Sequence, residues 1–154
     1  MKFSTREDIE APIAYVFDRV ADFPAYERRA LRQGAEVSCR TDGPAQVGTV
    51  WDVQFTFRGR PRRIVAELTA LEPPAAMAVT STSDGLEVVT EVDLIALSQS
   101  RTRVMVTITV KAKTLTSRLL VQSLKLAKTK LTKRFKARVL DYAEDIEDRY
   151  RREG

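Results

Sequence analysis

Apolar and polar residues alternate with a period of two through much of the chain up to Lys113, and apolar residues then recur with a period near 3.6. Ser4 to Ile9 reads as a first strand. Pro12 fixes φ for a first helical turn and opens a short helix, with Ile13, Val16, Phe17 and Val20 at helical spacing. Asp22-Phe23-Pro24 interrupts it, and a second short helix from Pro24 to Leu31 is closed by Gly34. Six further strands follow: Ala35–Thr41, Gly48–Arg58, Arg62–Leu71, Ala76–Ser83, Leu86–Leu97 and Arg101–Lys113. Asp42-Gly43-Pro44, Gly59 with Pro61, Pro73-Pro74 and Asp84-Gly85 mark turns between them. Trp51, Val53, Phe55 and Phe57 share one face, against Asp52, Gln54, Thr56 and Arg58 on the other. Leu86, Val88, Thr90, Val92 and Leu94 oppose Glu87, Glu91 and Asp93 in the same way, and Val104, Val106, Ile108 and Val110 form the apolar face of the last strand. Short connections imply an antiparallel meander with one apolar face.

From Thr114 to Glu153 no Pro or Gly intervenes, and Leu120, Leu124, Ala127, Leu131, Phe135, Tyr142 and Ile146 fall on one stripe. One helix of roughly 36 residues, about 54 Å long, is expected. A helix of that length needs tertiary support, and the sheet's apolar face supplies it. The predicted fold class is α+β: a curved antiparallel sheet of about seven strands wrapped around a long C-terminal helix, with two short helices after the first strand. It is expected to form one domain over 1–154.

Composition narrows the chemistry. The chain is 44% hydrophobic and 31% charged, which suits a folded domain. No apolar run approaches the roughly 18–20 residues of a membrane span. The opening Met1 to Asp8 is charged too early for a signal peptide, so the expected compartment is the cytoplasm. The absence of histidine removes Ser-His and Cys-His nucleophile systems and the commonest metal ligand. The single Cys39, placed in a strand, is read as a buried inert thiol, with no disulfide and no metal site.

Four local motifs carry a resemblance. Ile9-Glu10-Ala11-Pro12 is followed by Tyr15-Val16-Phe17, and then by Val20-Ala21-Asp22-Phe23. Val47-Gly48-Thr49 precedes Trp51, and Leu71-Glu72-Pro73-Pro74 precedes Met77. In this order they resemble the START-like (SRPBCC) superfamily of polyketide cyclases and lipid-transport proteins, which has the helix-grip fold. The chain departs from that pattern at Ala25-Tyr26-Glu27-Arg28-Arg29, where only Tyr26 can serve as the expected aromatic, and at Ser100-Arg101-Thr102.

The resemblance implies a cavity between sheet and long helix. Trp51, Val53, Phe55, Phe57, Val79, Val88, Val106 and Ile108 are its expected sheet wall, and Leu120, Leu124, Leu131 and Phe135 its helix wall. The same residues can equally fill a solid core. Ser81 and Thr90 are small polar candidates facing inward, and Lys128 flanks the stripe. Arg138, close to the stripe, has two readings: pairing with a ligand carboxylate or phosphate, or extending past the sheet into solvent. No pair of catalytic groups emerges. Tyr15, Asp22 and Tyr26 remain as candidates near the cavity mouth, and no cofactor is implied.

Lys125, Lys128, Lys130, Lys133, Arg134, Lys136 and Arg138 crowd four helical turns, followed by the acidic Asp141, Glu144, Asp145, Glu147 and Asp148. A solvated, charge-laced helix explains much of this through i,i+4 pairs. Cations early and anions late nevertheless oppose the helix dipole, which leaves transient contact with an anionic membrane as a reading. Nucleic acid is disfavoured because no aromatics interleave the cations. Three functions stay open: binding or transport of a hydrophobic small molecule (lipid, quinone or polyketide-like), a polyketide cyclase or dehydratase, and a basic interaction module.

Overall fold

A computed structural model describes residues 1–153. The elements in chain order are β1 (Lys2–Ile9), α1 (Ile13–Val20), α2 (Phe23–Arg32), β2 (Glu36–Cys39), β3 (Val50–Phe57), β4 (Arg60–Glu72), β5 (Ala76–Ser83), β6 (Leu86–Ser98), β7 (Arg101–Ala112), α3 (Leu115–Leu126) and α4 (Lys128–Glu153). The seven strands form one antiparallel sheet in the order β1-β7-β6-β5-β4-β3-β2. The α+β, helix-grip expectation holds in element order and topology.

Register turns the alternation of each strand into rows across one face. Cys39, Trp51, Ala66, Ser81, Val88 and Val110 are successive partners. Leu68, Val79, Thr90, Ile108 and Phe3 form a neighbouring row. Asp52 occupies the opposite face, where Arg40 Nε and Arg63 Nη2 donate to its carboxylate at 2.8 and 2.7 Å. The fully buried core lies where α1 and the second half of α4 cover this inner face: Ile9, Val16, Phe17, Val20, Leu68, Leu94, Val104, Ala143 and Ile146.

Two hairpins need left-handed backbone at their tips. Arg58-Gly59 and Asp84-Gly85 all have positive φ, the geometry of a tight turn between right-twisted strands. Side-chain caps open two helices. Asp22 Oδ1 accepts from the Ala25 N–H at 3.2 Å at the start of α2. At α3, Thr114 Oγ1 accepts from the Ser117 N–H at 3.1 Å, while Ser117 Oγ accepts from the Thr114 N–H at 3.0 Å.

Two expectations are corrected, and one residue with two open readings is located. The C-terminal helix is two helices, broken at Ala127, whose φ of −103° and ψ of 14° end α3. No Pro or Gly dictates this break. It falls where the chain leaves β7, which α3 contacts, for β1, which α4 contacts. Cys39 lies in strand β2 as expected, but its thiol is exposed, because β2 is the short edge strand and nothing beyond it covers that position. Arg138 is exposed, as one of its two readings has it: Val139, Ala143 and Ile146 set the buried line of α4, and Arg138 stands one residue, about 100° around the helix, from Val139.

Candidate functional site

On α2, Phe23, Tyr26, Glu27 and Ala30 stand at i, i+3, i+4 and i+7, so all four point to one side of the helix. That side faces the sheet across a pocket of about 270 Å³. Val37 of β2, Trp51 and Val53 of β3, Ala66 of β4, and Met77 and Val79 of β5 form its floor and opposite wall. Apart from Glu27 and the phenol of Tyr26, the lining side chains offer aliphatic, aromatic and, at Met77, thioether surface, with the indole N–H of Trp51 donating to Glu27.

The polar groups around the pocket are fixed. Trp51 Nε1–H donates to Glu27 Oε1 at 2.7 Å. Among the described residues Glu27 Oε2 has no protein donor, so one carboxylate oxygen remains free to accept. Phe23, Glu27 and Trp51 also line a larger depression of about 720 Å³ bounded by the segment from Cys39 to Ala45. These three side chains therefore stand between an apolar pocket and a second one of mixed polarity. Phe23 packs against Trp51 with ring centroids 5.2 Å apart, and against Tyr26 at 6.1 Å.

The three catalytic candidates are all engaged in holding the fold. The Tyr26 hydroxyl donates to the Val20 carbonyl at 2.7 Å and lies 2.8 Å from Tyr142 Oη of α4. Burial, with the neighbouring Tyr142 adding to it, pushes the Tyr26 phenol well above the ordinary tyrosine range. Burial pushes Tyr142 up as well. A phenol held neutral in this way is a poor base. Asp22 is the cap of α2, and Tyr15 donates to Glu153 Oε2 at 2.8 Å while packing edge-on against Tyr150.

Of the sequence-derived cavity residues, the pocket brings together Trp51, Val53 and Val79. Ser81, Val88, Thr90, Val106 and Ile108 are half-buried on the same sheet face, nearer β7. Phe55 is half-buried, whereas Phe57, next to the β3–β4 turn, is 53% exposed with the Arg58 guanidinium over its ring. Leu124, Leu131 and Phe135 are half-buried away from the pocket, Phe135 against Phe3, and Leu120 is 46% exposed. The opposing wall of the pocket is α2 rather than the C-terminal helix. The i, i+3, i+4, i+7 spacing of Phe23, Tyr26, Glu27 and Ala30 is the sequence signal for that wall. Ala66 and Met77 follow from strand parity with Leu68 and Val79. Among the described residues no cluster of three Cys, Asp or Glu side chains is arranged to hold a metal ion.

Several solved structures share this architecture. TTHA0849 from Thermus thermophilus matches with a TM-score of 0.64 at 15% identity, covering 95% of this chain and 97% of that one. The Zhui aromatase/cyclase from Streptomyces sp. R1128 matches at 0.57 and 18% identity, covering 74% and 69%. Norcoclaurine synthase from Thalictrum flavum, solved with dopamine and hydroxybenzaldehyde, matches at 0.58 and 12%, covering 85% and 86%. At these identities the likeness is one of fold. No curated protein matches the chain significantly by sequence. The family described as polyketide cyclase / dehydrase and lipid transport matches residues 1–147, and in agreement with its helix-grip topology the chain belongs to that family.

Proposed function

We propose that the protein binds a hydrophobic small molecule in the pocket between α2 and the sheet, acting as a carrier or binder rather than as a catalyst. The observation that carries this reading is the pocket itself, an almost wholly apolar cavity with the Glu27 carboxylate among its lining residues. Its volume of about 270 Å³ suits one or two rings, or the end of an acyl chain, more than a whole lipid. Lipid, quinone and polyketide-like compounds all offer such a moiety. A hydroxyl or phenol on the ligand would find its acceptor at Glu27.

Trp51 is the only tryptophan, so intrinsic fluorescence reports directly on the pocket. Titration with 2-naphthol is expected to change Trp51 emission, and Ala66→Phe, which fills the floor, to weaken the response at least about tenfold. Native mass spectrometry of freshly purified protein is expected to show a retained small molecule that denaturation releases. Unchanged emission together with no retained mass would sink the reading.

A second reading, cyclase or dehydratase chemistry, has one observation in its favour: Glu27 is a carboxylate held in place beside an apolar chamber. If Glu27→Gln leaves ligand affinity within about twofold but abolishes conversion of a poly-β-ketone, this second reading replaces the first.

A further inference from the structure

The outward face of α3 carries largely exposed leucines. Leu115, Leu119 and Leu126 are 75%, 60% and 92% exposed. They occupy i, i+4 and i+11, which fall within about 40° of one another at 3.6 residues per turn. The opposite face, through buried Ser117 and Val121, already holds α3 onto the protein. The helix is therefore apolar twice over, once toward the core and once toward solvent.

Cations border this second face along one edge and beyond its C-terminal end. Arg118 and Lys125 flank the leucine stripe along α3, and exposed Lys128, Lys130, Lys133 and Arg134 continue it onto the first turns of α4. No Asp or Glu occurs between Asp93 and Asp141, a stretch with twelve Lys and Arg. Among the described residues none of these six flanking side chains forms a salt bridge. Lys128 and Lys130 also sit in the first turn of α4, where the helix dipole disfavours positive charge. Intramolecular electrostatics does not account for them.

Of the possible occupants, one satisfies both features. A second copy of the chain would bring two like-charged surfaces together. A nucleic acid would use the cations and leave the leucines in water, with no exposed aromatic beside them for base stacking. An anionic bilayer takes the leucines into the boundary between headgroups and acyl chains and sets the cations among lipid phosphates. We infer that α3 and the first turns of α4 form a docking surface for anionic membranes, with Leu115, Leu119 and Leu126 as the inserted side chains.

The test is co-flotation with phosphatidylcholine vesicles with and without about a third phosphatidylglycerol. Expected is binding that requires phosphatidylglycerol and weakens with added salt. Leu119→Ser/Leu126→Ser should weaken it at least about tenfold while leaving the thermal midpoint unchanged, since both leucines are exposed. Lys130→Glu/Lys133→Glu should weaken it comparably. No dependence on phosphatidylglycerol, or binding indifferent to the leucine pair, overturns the inference. So does a dimer in sedimentation that the leucine pair abolishes, or duplex DNA held more tightly than the vesicles.

Discussion

Trp51 and Glu27 illustrate how one contact serves both packing and chemistry. The indole proton is satisfied only by the Glu27 carboxylate, and the indole in turn fixes which oxygen remains free. Trp51→Phe keeps an aromatic ring but removes the donor, and is expected to cost about 1–2 kcal/mol, measured by urea unfolding followed by circular dichroism. Arg58 offers the opposite case. It holds a φ of 51°, which a long side chain disfavours and Asn tolerates. Its guanidinium lies 5.3 Å from the Phe57 ring centroid, a contact at an exposed site that offsets only part of the strain. Arg58→Asn should therefore stabilise the protein by roughly 0.5 kcal/mol in the same assay. Alternation placed Trp51, Val53, Phe55 and Phe57 on the correct face, because a strand's side chains must alternate. It said nothing of how far along the strand the cover extends, and that is why Phe57 lies in solvent.

The turn between β5 and β6 and the start of α3 are one mechanical unit. Gly85 has φ of +76°, its carbonyl accepts from the Lys113 N–H at 2.8 Å, and a Cβ there would meet Thr114 Oγ1 at 2.6 Å. That oxygen holds the cap of α3, so it cannot move aside without releasing the Ser117 N–H. Gly85→Ala is expected to cost about 2–3 kcal/mol, the sum of left-handed strain and a lost cap, against about 1 kcal/mol for Thr114→Ala. Comparison of the two denaturation midpoints separates the contributions. The number of strands, the meander from β2 to β7, both short helices and the switch of period at Thr114 were legible because hydrophobic spacing and turn residues act locally, whereas the pairing of β1 with β7 is not local. The break at Ala127 was not legible, since it comes from α3 and α4 lying on different strands. For the same reason the inner line of α4 settled on Val139 and left Arg138 outside.

Across the molecule, shifted titrations make stability depend on pH at both the alkaline and the acid end. Tyr26 and Tyr142 join α2 to α4 and are held neutral by burial. The unfolded chain loses those protons near pH 10, the folded one only above that, so their contribution is complete below about pH 10 and declines as pH rises further. A thermal midpoint that falls above pH 10, and falls less steeply in Tyr142→Phe, is the expected result. At the acid end, Arg40 and Arg63 hold the Asp52 carboxyl well below its usual range, and Arg103, with Arg101, lowers Asp8. Stability from these pairs is present above about pH 4 and is lost as pH drops below it.

The pairing of β1 with β7 has a kinetic consequence. Lys2 meets Thr109 and Ile9 meets Thr102, so among the described residues the first strand pairs with a single neighbour about a hundred residues away. During synthesis the N-terminal strand emerges first and is satisfied last, waiting with unpaired backbone until nearly the whole sheet has left the ribosome. Slow, late closure of that edge is thus expected to limit folding. Deletion of β1 would leave β7 as an open template for aggregation, rather than merely subtracting one strand.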